Sequence, residues 1–404
     1  MNSICLVVDR LHAGYLGAYG NSWIETPSLD RLASQSFLLD QMLIDTPELP
    51  RLYRSYWQGW HAMCPSPVEP RPTLPALLRE RGVATALLTD EPLIARHPLA
   101  VEFDELIEID PAWQPRAAEN VEQTHFGRCF VQMIEWLERA RGPYLLWCHL
   151  AGLGSTWDAP WQFRETYWDE GDPPPPSSAE VPDYRLAEGY DPDEVLSVTQ
   201  AYCGQISLFD TCLGAFCDFL DALPQSSETL FTLTSPRGFP LGEHGRIGPA
   251  DAALFGELVH VPCLLQLPEG YDRGVRTSAL TEPADLWATL LDLNGIAQLP
   301  HSPTAGSLLP VLRQETDAIR DRLAILGIDG QRAIRTPAWY LRSAEQPELY
   351  VKPDDRWEAN NVVCRCGDVV EQLQEVLTEY EQSLPATRIP SEPALRDVLL
   401  DGLE

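Results

Sequence analysis

Apolar positions recur along this chain in two rhythms. Unbroken apolar runs at 4–8, 83–88, 144–150, 229–234 and 261–266 have the length and flanks of buried strands. Between them, apolar residues spaced three and four apart predict helices. The first covers 26–34, with Thr26 as N-cap, Pro27 at the first helical position, and Leu29, Leu32 and Ala33 on one face. Further helices are expected at 53–63, which is rich in aromatic residues, and at 73–82, which starts at Thr73 and ends at Gly82. A helix over 119–140 buries Phe130, Met133, Ile134 and Leu137 and is stopped by Gly142, and others follow at 193–223 and 283–293. Alternation of this kind predicts an α/β fold: a doubly wound, mostly parallel sheet flanked by helices.

After about residue 315 the rhythm changes. Short candidate strands at 323–328, 332–336, 338–342 and 348–351 precede an amphipathic helix at 368–384. The expected division is an α/β domain over 1–315 and a small C-terminal α+β subdomain, an antiparallel sheet plus a helix, over 316–404. Two proline-rich segments interrupt the pattern, a connector at 64–72 and a long excursion at 151–193. An excursion of that length in a compact domain is a lid, a binding loop or an insertion.

Composition narrows the function classes. An apolar share of 44% supports a sizeable core without covalent staples. A formal charge of −31 argues against nucleic acid and anionic membranes as partners. No apolar stretch approaches the roughly eighteen residues of a membrane span, and no basic-then-apolar leader precedes the first strand, so a cytoplasmic location is expected. Of ten cysteines, Cys5, Cys148 and Cys263 lie inside apolar runs as small hydrophobes, and reduced thiols are expected throughout. Cys364-Arg365-Cys366 has the wrong spacing for a zinc knuckle.

Candidate chemistry gathers where strands end, the place α/β sheets put ligands. The first strand ends in Asp9-Arg10, followed by Tyr15-Leu16-Gly17-Ala18-Tyr19-Gly20-Asn21 and Thr26-Pro27-Ser28-Leu29-Asp30. The strand at 83–88 leads to Asp90, and that at 229–234 leads into Ser235-Pro236-Arg237-Gly238, then Leu241-Gly242-Glu243-His244-Gly245. In order and wording these strings resemble the sulfatase family of the alkaline-phosphatase superfamily. The segments Ala333-Ile334-Arg335-Thr336, Glu348-Leu349-Tyr350 and Asn360-Asn361-Val362 extend the resemblance to the C-terminal subdomain.

The resemblance implies a sulfuric-ester hydrolase with a formylglycine nucleophile made in a Cys/Ser-x-Pro-x-Arg motif. It also implies a calcium ion held by carboxylates, and lysine and histidine side chains on the sulfate. The residues depart from each expectation. Asp9 matches the first metal aspartate, but Arg10 stands where the second belongs, and Pro236 and Arg237 replace the later ligand pair. The nucleophile position falls near Leu49, with no Cys or Ser before Ser55, and Arg51 and Arg54 read as surface charges or remnants of the motif's arginine. Asp90 and Pro92 occupy the lysine and histidine positions, and Gly154 replaces a further histidine. His149 reads as a core histidine inside its strand, and His244 as a loop-shaping residue or a ligand. Calcium wants six to eight oxygens, mostly charged. Neither calcium nor formylglycine is therefore expected, and no catalytic or metal-binding residue is assigned.

Three functions follow. The first is a sulfatase-like pseudoenzyme whose vestigial cleft (Asp9, Arg10, Asp90, Arg237 and His244) keeps metal-free binding of a small anion or sulfated ligand through the two arginines. The second is a hydrolase of sulfate or phosphate esters with a rebuilt site, drawing on Asp9, Asp90, Glu243 and His244. The third is a scaffold or regulatory protein that engages a protein partner through the aromatic-rich surface of 144–190.

Overall fold

The computed structural model describes the whole chain except residues 68, 111–115, 250–252, 269–272, 297–299, 385–393 and 403–404. Its strands are β1 (Asn2–Val8), β2 (Phe37–Met42), β3 (Ala84–Thr89), β4 (Glu105–Glu108), β5 (Tyr144–Leu150), β6 (Tyr184–Arg185), β7 (Thr229–Thr234), β8 (Arg246–Ile247), β9 (Cys263–Gln266), β10 (Val275–Thr281), β11 (Leu323–Leu326), β12 (Arg332–Arg335), β13 (Trp339–Ser343) and β14 (Glu348–Val351). Eight of them form one mixed sheet in the order β10-β2-β9-β7-β1-β5-β3-β4. Every residue of β1 and β5 is buried, which explains why these strands read as continuous apolar runs and not as alternating ones. β1 pairs in parallel with β7 and β5, so that Val7 lies opposite both Thr234 and His149. β9 runs antiparallel to β7. This is the expected α/β sheet, with β2, β4 and β10 as further strands that the apolar pattern does not mark.

The chain divides into two compact units, Met1–Leu38 with Gly82–Ala250 and Val261–Arg276, and Leu39–Arg81 with Asp251–His260 and Thr277–Glu404. In the first, the helices Pro192–Ala222 and His125–Arg139 bury Phe209 and Phe216 against Phe126 and Phe130. Helix His125–Arg139 starts later than the amphipathic pattern suggests, because the Thr124 hydroxyl caps it by accepting from the Gly127 N–H (3.1 Å). Thr26 does not cap helix Pro27–Ser34. Its hydroxyl accepts from the Gly17 N–H, and the first amides of the helix, Ser28 and Leu29, donate instead to the Asp210 carboxylate (3.1 and 2.7 Å).

In the second unit, the aromatic helix spans Leu49–Gln58, four residues earlier than expected, with Pro50 in its first turn and Gly59 ending it at φ 58°. A Cβ on Gly59 would lie 2.5 Å from the Trp287 ring, so glycine is required there for space as well as for conformation. The small sheet is antiparallel, β11-β12-β13-β14, and buries Ile334, Trp339 and Leu341 under helix Gly367–Ser383. No helix among the described residues is long and apolar enough to cross a membrane.

Candidate functional site

Four neighbouring strands of the first unit, β7, β1, β5 and β3, run parallel, so their carboxyl ends emerge together. The sheet thereby brings Asp9, Arg10 and Arg237 into contact. It places Asp90 two strands from β1, beyond His149.

Asp9 is buried, its N–H donating to the Leu150 carbonyl (2.9 Å). Arg237 meets its carboxylate as a fork, with Nε donating to Oδ1 (3.1 Å) and Nη2 to Oδ2 (2.5 Å). The Arg10 Nε lies 3.8 Å from the same Oδ1. Burial pushes the Asp9 carboxyl up, but Arg237 and Arg10 outweigh it and hold the group below the usual carboxylate range.

Arg10 is only 2% exposed and sits at φ 67°, a left-handed conformation that disfavours a side chain. Contacts hold it there. Its Nη1 donates to the Gly238 carbonyl (3.3 Å) and its Nη2 to that of Pro249 (3.0 Å), while the Tyr202 hydroxyl donates to the Arg10 carbonyl (2.6 Å). Gly154 makes room for it, since a Cβ there would come within 2.9 Å of the Arg10 Cγ. The arginine at 10, as placed, requires the missing side chain at 154.

Asp90 takes different partners. Its Oδ1 accepts from the Ala151 N–H (2.6 Å) and its Oδ2 is paired with His125 Nε2. Cys129 Sγ lies 3.7 Å from the same ring nitrogen, and Arg128 Nη2 lies 3.1 Å from Nδ1. Because a guanidinium only donates, Nδ1 must accept, which leaves the ring proton on Nε2 facing Asp90. His149, within β5, is pushed down to about 4 by burial, against the pull of Asp9 and Asp90, and is neutral at physiological pH.

His244 stays in the 241–245 turn, half-buried like its neighbour Glu243. Glu243 Oε2 accepts from the Leu241 N–H (2.6 Å) and Oε1 lies 3.6 Å from His12 Nε2. His12 Nδ1 accepts from the Gly14 N–H (2.7 Å), so the ring proton sits on Nε2, toward Glu243. Burial raises the Glu243 carboxyl, but the His12 ring outweighs it and holds the group below its usual range.

Neither cluster fits a metal ion. Calcium would find one carboxylate at Asp9, both of whose oxygens already accept from Arg237, with a second guanidinium alongside. Asp90, His125 and Cys129 have ligand atoms within 4.8 Å of one another. An ion at Nε2 would have to displace the proton shared with Asp90 while Arg128 keeps a positive charge at Nδ1. In the second unit, the nucleophile position near Leu49 is a buried leucine opening helix Leu49–Gln58, and Ser55 is engaged by Asp45 Oδ2 (2.5 Å) and the Trp60 carbonyl (3.1 Å).

Sequence reasoning missed His12, His125 and Cys129. A histidine and a cysteine four apart share a helix face, which was the available signal for the last two. Nothing local announces that the face meets Asp90.

The family model for sulfatases matches residues 1–296. The chain is 28% identical over 205 residues to an N-acetylglucosamine-6-O-sulfatase of Bacteroides thetaiotaomicron, covering 46% of this chain and 36% of that protein. It is 23% identical over 369 residues to the iduronate 2-sulfatase of Homo sapiens, covering 72% and 63%. In both cases it spans less than two thirds of the relative's length. The crystal structure of the phosphonate monoester hydrolase of Agrobacterium radiobacter superposes with a TM-score of 0.76 at 18% identity, covering 94% of this chain and 95% of that one, which gives the same fold.

Proposed function

The chain belongs to the sulfatase family, and on that premise we propose that it is a non-hydrolytic member whose metal position has been closed by an internal ion pair. One observation carries the reading: the Arg237 guanidinium occupies both oxygens of Asp9, so a fixed organic cation stands where the resemblance puts a divalent one. The leucine at the nucleophile position and the pairing of Asp90 with His125 support it. An anion at Arg10 and Arg237 would have to displace Asp9 from one and two carbonyls from the other, which weighs against the metal-free anion cleft as the retained function.

The test is turnover of an aryl sulfate, an aryl phosphate and a phosphonate monoester with calcium, magnesium or manganese present, alongside thermal midpoints with each cation and with sulfate. The expected result is no turnover above buffer and unchanged midpoints. The triple variant Arg10→Asp, Pro236→Asp, Arg237→Asn should gain a midpoint rise with calcium that the natural chain lacks. Turnover abolished by Asp9→Asn would establish instead a hydrolase with a rebuilt site, in keeping with the activities for which the named relatives are known. A sulfate-dependent midpoint lost in Arg10→Ala would restore the anion cleft.

A further inference from the structure

Four tryptophans are exposed among the described residues, Trp23 (45%), Trp161 (38%), Trp168 (41%) and Trp357 (50%), and the first three belong to the first unit. Trp161 opens the short helix Trp161–Glu165, and the Tyr167 and Trp168 amides continue its winding by donating to the Arg164 and Glu165 carbonyls. Trp168 thus follows just beyond the end of that helix. The ring of Tyr167, the residue before Trp168, meets Trp23 at 5.6 Å, centroid to centroid.

This platform is held in advance of any contact. Arg164 is fully buried and donates to the carbonyls of Trp157, Pro176 and Ser178, which ties the helix to the proline-rich segment behind it. Gly204 of helix Pro192–Ala222 lets the Arg164 backbone approach to 2.9 Å from where a Cβ would lie. The Trp168 Nε1 donates to the Asp172 carbonyl (3.0 Å), which fixes the ring's orientation. The Tyr167 hydroxyl bonds with Ser207 Oγ (2.7 Å). Aromatic groups ordered before binding contribute affinity without an ordering cost.

Carboxylates predominate in the segments that carry these rings. Glu25, Glu165, Asp169 and Glu170 are exposed and Asp172 is half-buried, and none of the five forms an ion pair among the described residues. Arg164 is the one base between 157 and 183, and its guanidinium is turned inward. Exposed indoles flanked by uncompensated carboxylates select a cation with a flat face. A guanidinium stacks on indole and forks to carboxylate at once. We propose that this face docks an arginine-bearing segment of a partner protein. The net charge of −31 disfavours a second copy of the chain, and the local carboxylates repel nucleic acid, anionic lipid and sulfated sugars. The proposal does not depend on whether the strand-end site hydrolyses esters.

The probe is a fluorescent peptide of four arginines spaced by glycine and serine, titrated into the full chain and followed by anisotropy. Binding is expected to weaken about fivefold in each of Trp23→Ala and Trp168→Ala. A comparable loss is expected in Asp169→Asn with Glu170→Gln, and the complex should weaken further as salt rises from about 50 to 200 mM. Unchanged thermal midpoints and far-ultraviolet circular dichroism would show that these surface variants are folded. An equally charged lysine peptide should bind more weakly. The proposal is overturned if the arginine peptide does not bind, if it binds the Trp23→Ala, Trp168→Ala double variant as tightly as the natural chain, or if spermine or a sulfated disaccharide takes the face in a tryptophan-dependent way and the peptide does not.

Discussion

Each unit buries a carboxylate–guanidinium pair with a third charge beside it, and the third charge differs in sign. In the first unit Asp9 faces Arg237 with Arg10 alongside, one negative group against two positive. In the second, Asp285 is gripped by both terminal nitrogens of Arg320, Nη2 at 2.5 Å from Oδ1, and Glu282 lies 3.9 Å from the same guanidinium, two negative groups against one positive. The consequences diverge. The Asp9 carboxyl is held below its usual range by its two arginines, in spite of burial. The Asp285 carboxyl is pushed above its range by burial and by Glu282, in spite of Arg320. Two guanidiniums outweigh burial at Asp9, whereas burial with a second carboxylate added outweighs one guanidinium at Asp285. Asp285 also caps its own helix by accepting from the Glu282 N–H (2.8 Å), and it accepts from the Gly306 N–H (2.9 Å), whereas Asp9 and Arg237 are 228 residues apart and meet only because β1 and β7 are neighbours.

The contrast is broken most severely at the anionic pair. Arg320→Met leaves Asp285 and Glu282 as adjacent buried carboxylates with no guanidinium, and about 3–5 kcal/mol of stability should be lost in urea unfolding. A loss under about 1 kcal/mol would mean that the pair is replaceable by packing alone.

The next effect lies in pH, beside the cationic pair. His149 titrates at about 4 in the fold, against about 6.5 in an unfolded chain. With the folded value depressed, the unfolded state takes up the proton first as pH falls. The His149 contribution is full above about 6.5, declines through the interval and levels below about 4, a loss of about 3 kcal/mol. Thermal midpoints measured across that interval should show the decline, and His149→Gln should flatten it.

Much of this was legible in the sequence, for a physical reason that can be named. β1, β5 and β7 are buried on both faces, and such strands print themselves as apolar runs; Gly59 and Pro50 mark the helix they bound. Arg10, Pro236 and Arg237 could be set against what the resemblance implies because the strings on either side of them carry that resemblance. The partners were not. Arg10 was expected to face a ligand, and its donors go to the carbonyls of Gly238 and Pro249, which no pattern in residues 1–30 encodes. His125 reaches Asp90 across 35 positions, and Asp210 caps Pro27–Ser34 across more than 180, so local periodicity carries no trace of either. Edge strand β4, four residues alternating half-buried and exposed, is too short for an apolar run to reveal it.

The smallest effect is the sharpest probe of the cationic pair, because it separates the two arginines. Arg237→Met removes the fork from Asp9 but leaves Arg10, whose Nε lies 3.8 Å away and whose guanidinium is anchored on backbone carbonyls. The remaining charge keeps the carboxylate compensated, so the cost should be about 1–2 kcal/mol, well below that of Arg320→Met, where no second cation remains. The acid limb gives an independent reading. The folded Asp9 value is depressed, so its stabilisation is present above the unfolded carboxylate pKa and is lost as pH falls through the folded one. In Arg237→Met that loss should begin at higher pH than in the natural chain, and Arg10→Met added to it should move the onset higher still. If the single variant leaves the acid limb where it was, Arg10 and not Arg237 sets the charge of Asp9, and the proposed closing of the metal position rests on the residue beside it in sequence.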